Sequence, residues 1–346
     1  MQLIKRDINL DFIGKRKIAF ILSIACIFIS IGSLILHKGP KYGIDFVGGT
    51  LIQVKFVSAV DTSNINSGLA SIGIENSSIQ EFGEQSANEY LIRTESPLVT
   101  TEGFSSDLKK ALEESSRTEV EVRRLEMVGP QVGKDLREKA LFAMFYALLF
   151  ITIYISGRFE LKWLISAVMA GALIGAVYVF KLFDVSIPFL IVAALVVTLI
   201  LFWFLELKYA MGAIVALIHD VIITVGVFSI FDKEFTLPII AALLTIIGYS
   251  LNDTIIVFDR IRENLRKHHR QPLNFIINRS INETLSRTIL TSVTTLFVVV
   301  TLFILGGGII HDFAFALIVG VLTGTYSSIY VASPILLIWQ QLGTSK

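Results

Sequence analysis

The chain has 346 residues, of which 53% are hydrophobic, and its formal net charge is +1. Stretches without any charged residue, at 141–157, 189–205 and 288–310, are at or near the ~20 residues that a helix needs to cross a bilayer. These features exclude an ordinary soluble domain, and we expect spanning helices because lipid requires every backbone group to be bonded internally. The single cysteine, Cys26, excludes an intrachain disulfide and a cysteine-based metal site.

The N-terminal segment, 1–17, mixes basic and apolar residues, which predicts an interfacial segment on the cytoplasmic side. The apolar run that follows is too long for the apolar part of a signal peptide. We therefore expect it to remain as the first transmembrane helix, 18–38, and to direct the next segment outward.

A polar region, 39–138, follows the first span and contains sixteen acidic and ten basic residues. Its net negative charge contrasts with the basic N-terminus and suits an exported domain, although large domains cross the membrane largely regardless of charge. We expect this domain to be periplasmic.

Alternating apolar residues in this region predict strands, and helical spacing predicts two helices between them. The resulting order, β-α-β-β-α-β, is typical of an α+β ferredoxin-like domain. Asp61 or Ser63 is expected to cap the first helix and Thr101 the second. The strands are predicted at 50–57, 77–82, 88–95 and 118–127, the helices at 61–70 and 101–115, and a turn at 84–87.

After the polar domain, apolar runs predict seven more spans, eight in all, and therefore two cytoplasmic termini. The seven are predicted at about 139–157, 163–182, 187–205, 209–230, 236–258, 286–305 and 311–338. The expected divisions of this part are a second helix with its inner loop (139–162), an extra helix pair (163–205), a pair with intramembrane aspartates (206–258), a basic cytoplasmic loop (259–285) and the last two helices with the C-terminus (286–346).

The extra pair resembles the pair after it. "ELKW" at 160–163 is followed by Phe-Asp, a proline and Ala-Ala-Leu, and "ELKY" at 206–209 is followed by the same signals at nearly equal spacing. A tandem duplication of one helix pair explains this pattern. Chance similarity between apolar runs is the alternative.

The second copy alone has polar residues inside its apolar runs. His219 and Asp220 lie near the middle of its first helix, and Asn252 and Asp253 lie late in its second, whereas the matching positions of the first copy are apolar. A charged group inside a bilayer costs from ~2.5 to over ~10 kcal/mol, so it usually faces the bundle and marks an ion or proton route. We therefore expect the second copy to hold the functional groups.

Asp253 is the candidate proton-coupling residue, at a depth of roughly 8 Å from the inner end of its span. Arg287 begins the next span from the same side. A pair whose attraction disappears when Asp253 is protonated is a switch driven by proton binding. The alternative is a static buried ion pair, or an aspartate that reaches the interface. For Asp220, the alternative is a neutral, hydrogen-bonded carboxyl group.

Small or hydrogen-bonding residues near Asp253 favour close helix packing. They are Gly248, Ser250, Asn252 and Thr254. His268 and His269 have no clear set of acidic or cysteine partners, so no metal site is expected. The outer domain has no evident nucleophile and base, so no catalytic residue and no cofactor are expected either. The basic residues of the inner loop are interpreted as topology anchors, not as a nucleic-acid surface.

Several motifs together resemble the SecF family, subunits of the bacterial Sec protein-export machinery and members of the RND-type superfamily. They are "YGIDFVGGT", "VGPQVGKDLREKA", "ALIHDVIIT", "AALLTIIGYSLNDTIIVFDRIRENLR", "NRSINETLSRTILTS" and "GTYSSIYVASPILL". The likeness covers nearly the whole chain in the right order. The family usually has six spans in this subunit, so the pair at 163–205 is an addition to a six-helix core.

The resemblance implies a multi-pass protein of the bacterial inner membrane that uses protons, with SecD beside the SecYEG channel, to promote preprotein export. It implies that Asp253 is the proton-coupling carboxylate and Arg287 its partner, with Asn252, Asp220 and Thr254 in support. Other Sec accessory subunits and membrane lipids are further expected partners. Two alternatives are a proton-driven exporter of small molecules or lipids and a purely structural assembly subunit.

Overall fold

The computed structural model describes residues 9–74, 77–82, 88–94, 103–183 and 185–343. Its first part contains one long helix followed by a small sheet domain. In chain order the elements are α1 (Arg16–Leu36), α2 (Ile44–Val47), β1 (Gly49–Phe56), α3 (Thr62–Ser71), β2 (Ser77–Phe82), β3 (Glu89–Thr94), α4 (Phe104–Ser116) and β4 (Val120–Val128).

The second part is a bundle of long helices. They are α5 (Pro130–Glu160), α6 (Trp163–Lys181), α7 (Ile187–Phe204), α8 (Lys208–Ile230), α9 (Leu237–Lys267), α10 (Leu273–Leu305), α11 (Gly308–Ser327), a π-helical turn (Ser328–Ala332) and α12 (Ser333–Gly343). With α1, the described residues contain eight segments that are long and apolar enough to cross a membrane, the last formed by α11, the π-helical turn and α12. The predicted polytopic helical fold with one α+β domain is confirmed.

The small domain has the predicted β-α-β-β-α-β order. Its four strands form one antiparallel sheet in the order β2-β3-β1-β4, which is the ferredoxin-like arrangement. Alternate residues of β1, among them Ile52, Val54 and Phe56, are buried against Leu69 of α3 and Leu108 of α4. The two helices therefore cover one face of the sheet, which explains the alternating sequence pattern.

Of the two predicted helix caps, one is confirmed and one is wrong. Asp61 precedes α3, and its carboxylate accepts a hydrogen bond from the backbone N–H of Ser63 at 2.8 Å. α4 begins at Phe104, so its N-cap is Gly103 and not Thr101. Gly103 has a φ of 106°, a conformation that glycine adopts without strain. Thr101 and the predicted turn at 84–87 lie outside the described residues.

Three membrane helices extend well beyond their apolar stretches. α5 begins at Pro130, in the first helical position that proline favours. α9 continues to Lys267 and α10 begins at Leu273, so most of the segment expected to be a basic loop is helical. Hydropathy indicates only the part of a helix that lies in lipid. The helix itself continues, with its backbone hydrogen bonds, until a capping or helix-breaking residue ends it.

The second copy of the repeated pair forms the centre of the bundle. α8 packs against α1, α9 and α11, and α9 packs against α10 and α11. The extra pair lies to one side of this centre: α6 contacts α5 and α7, and α7 contacts α5 and α8. Close approach at the centre depends on small residues. At Gly226 of α8, an added Cβ would run into Ser30 of α1.

The small domain is attached to the start of α9. The connection after α1 forms backbone hydrogen bonds with the turn between α8 and α9. Asp45 of α2 accepts a hydrogen bond from the backbone N–H of Leu237, the first residue of α9, at 2.8 Å. Arg93 of β3 forms an ion pair with Glu234 of the same turn. The N-terminal end of α9 and the turn before it are therefore directly bonded to the small domain.

Candidate functional site

Asp253 of α9 is fully buried, and neither of its carboxylate oxygens has a hydrogen-bond partner among the described residues. The buried hydroxyl groups of Tyr249, one turn earlier on α9, and of Thr288 on α10 also have no partner there. An ionised carboxylate without a partner is very costly to bury. This position therefore suits a group that binds and releases a proton.

The register between α9 and α10 places Asp253 and Thr288 at similar depths. Asn264 of α9 donates a hydrogen bond to the hydroxyl of Ser280 on α10 at 3.0 Å, and a five-residue connection, 268–272, makes the helices antiparallel. At ~1.5 Å of rise per residue, Thr288 lies within about one helical turn of the level of Asp253. Two of the unpartnered groups, Asp253 and Thr288, therefore lie within about one turn of each other, and Tyr249 lies one turn further along α9.

The expected contact between Asp253 and Arg287 is not formed in this conformation. Arg287 attracts Asp253 electrostatically, yet the Arg287 side chain is exposed on α10 and no hydrogen bond joins the two groups. A change in the position of α10 relative to α9, or a rotation of the side chain, is required to close the pair.

Asp220 of α8 has surroundings of the opposite kind. It is fully buried, and its Oδ2 accepts hydrogen bonds from the hydroxyls of Ser250 on α9 at 2.6 Å and Ser327 on α11 at 2.7 Å. Its Oδ1 lies 2.9 Å from Nδ1 of His219, which is also buried. Ser250, which the sequence placed around Asp253, is therefore a partner of Asp220. This cluster joins three helices through a fully bonded carboxyl group.

The two other predicted supporting residues differ in location. Thr254 is buried beside Asp253 in the sequence, whereas Asn252 is exposed. Asn252 belongs to an exposed line of small or polar residues on α9, and a similar line follows α10. The two lines are Thr245, Gly248 and Asn252 on α9, and Arg287, Thr294 and Thr301 on α10. Such lines are typical of contact with another membrane helix.

Sequence reasoning missed Tyr249 and Thr288 at the first carboxylate and Ser327 at the second. Tyr249 precedes Asp253 by four residues, which places the two on one face of a helix, and Thr288 directly follows Arg287. That spacing was a usable signal. Ser327 had no comparable signal, because it is distant in sequence from Asp220. Within the described ranges, no group of three His, Cys, Asp or Glu side chains is placed to hold a metal ion.

Two family models match the chain. The model for the protein export membrane protein SecD/SecF, C-terminal, matches residues 107–200 and 171–342, and the SecD/SecF GG motif matches residues 33–60. The first model matches twice, and the two matches overlap within the extra helix pair. Together the matches cover most of the chain.

Curated relatives align over nearly the whole chain. The protein translocase subunit SecF of Calditerrivibrio nitroreducens is 42% identical over 337 residues, covering 96% of this chain and 95% of the relative. The protein of the same name from Magnetococcus marinus is 42% identical over 342 residues, covering 98% and 94%. The one from Vibrio alginolyticus is 40% identical over 346 residues, covering 100% and 93%.

Solved structures agree with these relatives. The crystal structure of SecDF, a translocon-associated membrane protein from Thermus thermophilus, superposes with a TM-score of 0.75 at 31% identity and covers 98% of this chain. A structure of SecDF in a super-membrane-facing form gives a TM-score of 0.62 at 30% identity. This chain spans 40% of the length of each SecDF chain. By family models, identity and fold, the chain belongs to the SecD/SecF family of protein-export membrane proteins, with the translocase subunits named SecF.

Proposed function

We propose that this protein uses the proton gradient, together with SecD, to promote preprotein export through the SecYEG channel. Its relatives are translocase subunits, and the observation that carries the proposal is the complete burial of Asp253 without any hydrogen-bond partner among the described residues. A buried carboxylate that lacks partners gains most from binding a proton. The proposal assigns no enzymatic reaction, cofactor or metal to the chain.

In the proposed cycle, Asp253 takes a proton from the outer side and releases it to the inner side. Arg287 attracts the ionised carboxylate and leaves it when the proton binds. One charge that crosses the membrane gains ~2.3 kcal/mol per 100 mV. This is enough to bias an equilibrium between two helix arrangements, although a complete reversal of populations needs about 5.5 kcal/mol.

The exposed lines of α9 and α10 support SecD as the partner on this side of the bundle. Arg287 is exposed on α10 directly before the uncharged stretch 288–310, and lipid tails do not stabilise a guanidinium group. A partner helix that packs on Thr245, Gly248 and Asn252 would shield Arg287 and supply it with polar groups. The proton site would then lie at the boundary between the two subunits.

The small domain is proposed to be periplasmic, with both termini in the cytoplasm and the chain in the bacterial inner membrane. Asp45 and the Arg93–Glu234 ion pair attach this domain to the outer end of α9, the helix that carries Asp253. Movement of α9 during proton transfer would therefore move the domain. A moving outer domain can hold an emerging polypeptide and prevent it from sliding back.

The test is completion of preprotein export without ATP in inverted vesicles that contain SecD and SecYEG. Asp253→Asn and Arg287→Met are each expected to abolish the part of export that depends on the proton gradient and to leave the remaining part unchanged. Asp259→Asn is a matched control on the same helix, because it removes only a partly exposed ion pair with Arg158. Full gradient-dependent export by Asp253→Asn would reject the proposal and favour a structural subunit.

A further inference from the structure

A chain of polar contacts runs from the His219–Asp220 pair on α8 to the backbone of α1. Nδ1 of His219 lies 2.9 Å from Oδ1 of Asp220, and Nε2 lies 3.2 Å from the hydroxyl oxygen of Ser23 on α1. The Ser23 hydroxyl is 3.0 Å from the hydroxyl oxygen of Tyr326 on α11, which is 2.7 Å from the carbonyl oxygen of Ala19. Four consecutive contacts therefore have hydrogen-bond length.

The number of available hydrogen atoms decides which groups in this series of four contacts are protonated. Each contact needs one hydrogen between its two heavy atoms. Ser23 and Tyr326 supply one each, and a neutral His219 supplies one from either ring nitrogen. An ionised Asp220 and the Ala19 carbonyl supply none. Three hydrogens cannot fill four contacts, so one contact would hold two acceptors face to face.

We propose that the His219–Asp220 pair is a proton-binding site that holds one proton more than a neutral histidine beside an ionised aspartate. Nε2 of His219 then carries a hydrogen, and each hydrogen bond from His219 onward is donated toward the carbonyl of Ala19. Nε2 donates to Ser23, Ser23 donates to Tyr326, and Tyr326 donates to the carbonyl of Ala19. The fourth hydrogen lies between the ring and the carboxyl group of the pair.

The groups around Asp220 fit this assignment. Ser250 from α9 and Ser327 from α11 both donate to Oδ2 of Asp220. Neither of them therefore supplies a hydrogen to the series of contacts that runs from Oδ1 of Asp220 to Ala19. Among the described residues, Tyr326 on α11 is the ionisable group whose ring lies against that of His219, and Cys26 on α1 interacts electrostatically with Tyr326. In the part of the chain that the structure describes, no lysine or arginine pairs with Asp220.

The proton of this pair controls a contact between helices. If the pair loses the proton, a contact such as that between Ser23 and Tyr326 has no hydrogen, and two oxygens 3.0 Å apart repel each other. The packing of α1 on α8 and α11 therefore depends on this proton. The site goes beyond the proposed function, because it does not require Asp253 to carry a proton.

Nitrogen-15 NMR of histidine in the full chain, in lipid vesicles, tests the assignment. The His219 signal is identified by its loss in His219→Gln. At a pH where exposed histidines are neutral, Nε2 of His219 should carry hydrogen, while Nδ1 either carries a second hydrogen or accepts one from the carboxyl group of Asp220. A hydrogen on Nε2 beside an Nδ1 that neither carries nor accepts one is the ordinary neutral tautomer and contradicts the proposal. His311, which lies 3.3 Å from Asp312 and is about one third exposed, provides a second His–Asp neighbour for comparison in the same sample. An unprotonated Nε2 of His219 overturns the proposal.

Tyr326→Phe provides a sharper test. It removes two contacts and one hydrogen, so Ser23 and a neutral His219 fill the two contacts that remain. Nε2 should then lose its hydrogen and accept from Ser23. Tyr330→Phe is the matched control, since its ring lies 5.2 Å from that of Tyr326 but is not part of the chain of contacts. A protonated Nε2 in Tyr326→Phe at the same pH contradicts the hydrogen count.

The two proton sites can fail separately. Asp253→Asn should leave the His219 signal as it is in the parent chain, while the proposed function expects this variant to lose gradient-driven export. A shift of Nε2 to the unprotonated form in Asp253→Asn would contradict the independence of the His219–Asp220 site.

Discussion

At the scale of single residues, Asp220 and Asp253 are both completely buried carboxyl groups, yet they differ in hydrogen bonding. Asp220 is in contact with His219, Ser250 and Ser327, whereas neither oxygen of Asp253 has a partner in the described residues. The bonds of Asp220 hold α8, α9 and α11 together, and the proposed proton of the His219–Asp220 pair belongs to that bonded arrangement, whereas Asp253, which has no partner, is proposed to gain and lose its proton. The hydrogen-bond partners around each carboxyl group, more than the depth of the group in the membrane, distinguish Asp220 from Asp253.

Gly226 gives a prediction at this scale. An added Cβ would collide with the backbone and side chain of Ser30, so Gly226→Ala should push α1 away from α8 and destabilise the full chain by about 1–3 kcal/mol. Gly171→Ala on α6 is the matched control, because no atom lies within 4 Å of its added Cβ. Denaturant unfolding in detergent measures both. Equal effects of the two variants would show that close approach at Gly226 is not required.

At the scale of elements, the N-terminal segment is held along α10 by two asparagines. Asn282 accepts a hydrogen bond from the backbone N–H of Leu10 and donates to the carbonyl of the same residue. Asn278 accepts from the N–H groups of Phe12 and Ile13. Two side chains one turn apart thus satisfy backbone groups of a segment that enters a turn before α1. The segment is thereby fixed to the helix that carries the Arg287 side chain.

Replacing both asparagines should release this segment. In the double variant Asn278→Ala, Asn282→Ala, amide hydrogen exchange at Leu10 and Ile13 is expected to rise at least about tenfold, since their N–H groups lose their acceptors, whereas the N–H of Phe12 keeps a contact with the carbonyl of Leu10. Asn274→Ala, one turn earlier on α10, is the control and should leave the exchange unchanged. Protection that persists in the double variant would mean that the burial of Phe12 and Ile13 holds the segment without the asparagines.

At the scale of the whole molecule, the chain enters and leaves the extra helix pair at nearly the same point. Glu160, the last residue of α5, accepts a hydrogen bond from the backbone N–H of Tyr209 in the first turn of α8 at 2.9 Å. The rings of Phe159 and Tyr209 stack at 5.2 Å, and Lys162 donates to the carbonyl of Leu205. α5 and α8 therefore meet directly, as they would if α6 and α7 were absent.

Deletion of residues 161–206, which joins Glu160 to Leu207, should consequently leave a folded six-span protein. Lipid replaces the contacts of α6 and α7 at little cost, because it is as apolar as they are. We expect the melting temperature to change by less than about 5 °C and gradient-dependent export to persist. The same deletion combined with Glu160→Ala is the control for the cap on α8, and it should be less stable than the deletion that keeps Glu160. Loss of membrane insertion in the deletion alone would show that the pair is an integral part of the fold.

Local patterns in the sequence were sufficient for the eight spans, for the order of strands and helices along the small domain and for a cap at Asp61 or Ser63, of which the structure has Asp61. These features depend on the period of apolar residues and on contacts within a few positions, both of which can be read along the chain. The N-cap of α4 at Gly103 and the helical extensions of α9 and α10 were not predicted. They depend on backbone conformation and on hydrogen bonding beyond the apolar stretch.

The sequence by itself determined that this protein spans a membrane, that an α+β domain lies between its first two spans, and that Asp220 and Asp253 lie within apolar helices. Only the tertiary structure decided which carboxyl group is bonded, that Arg287 is exposed, and that Glu160 caps α8. The physical reason is that burial in lipid follows from composition, whereas a hydrogen bond depends on which helix becomes the neighbour. Partners such as Ser327 and Ser23, distant in sequence, meet His219 and Asp220 only when the bundle has packed.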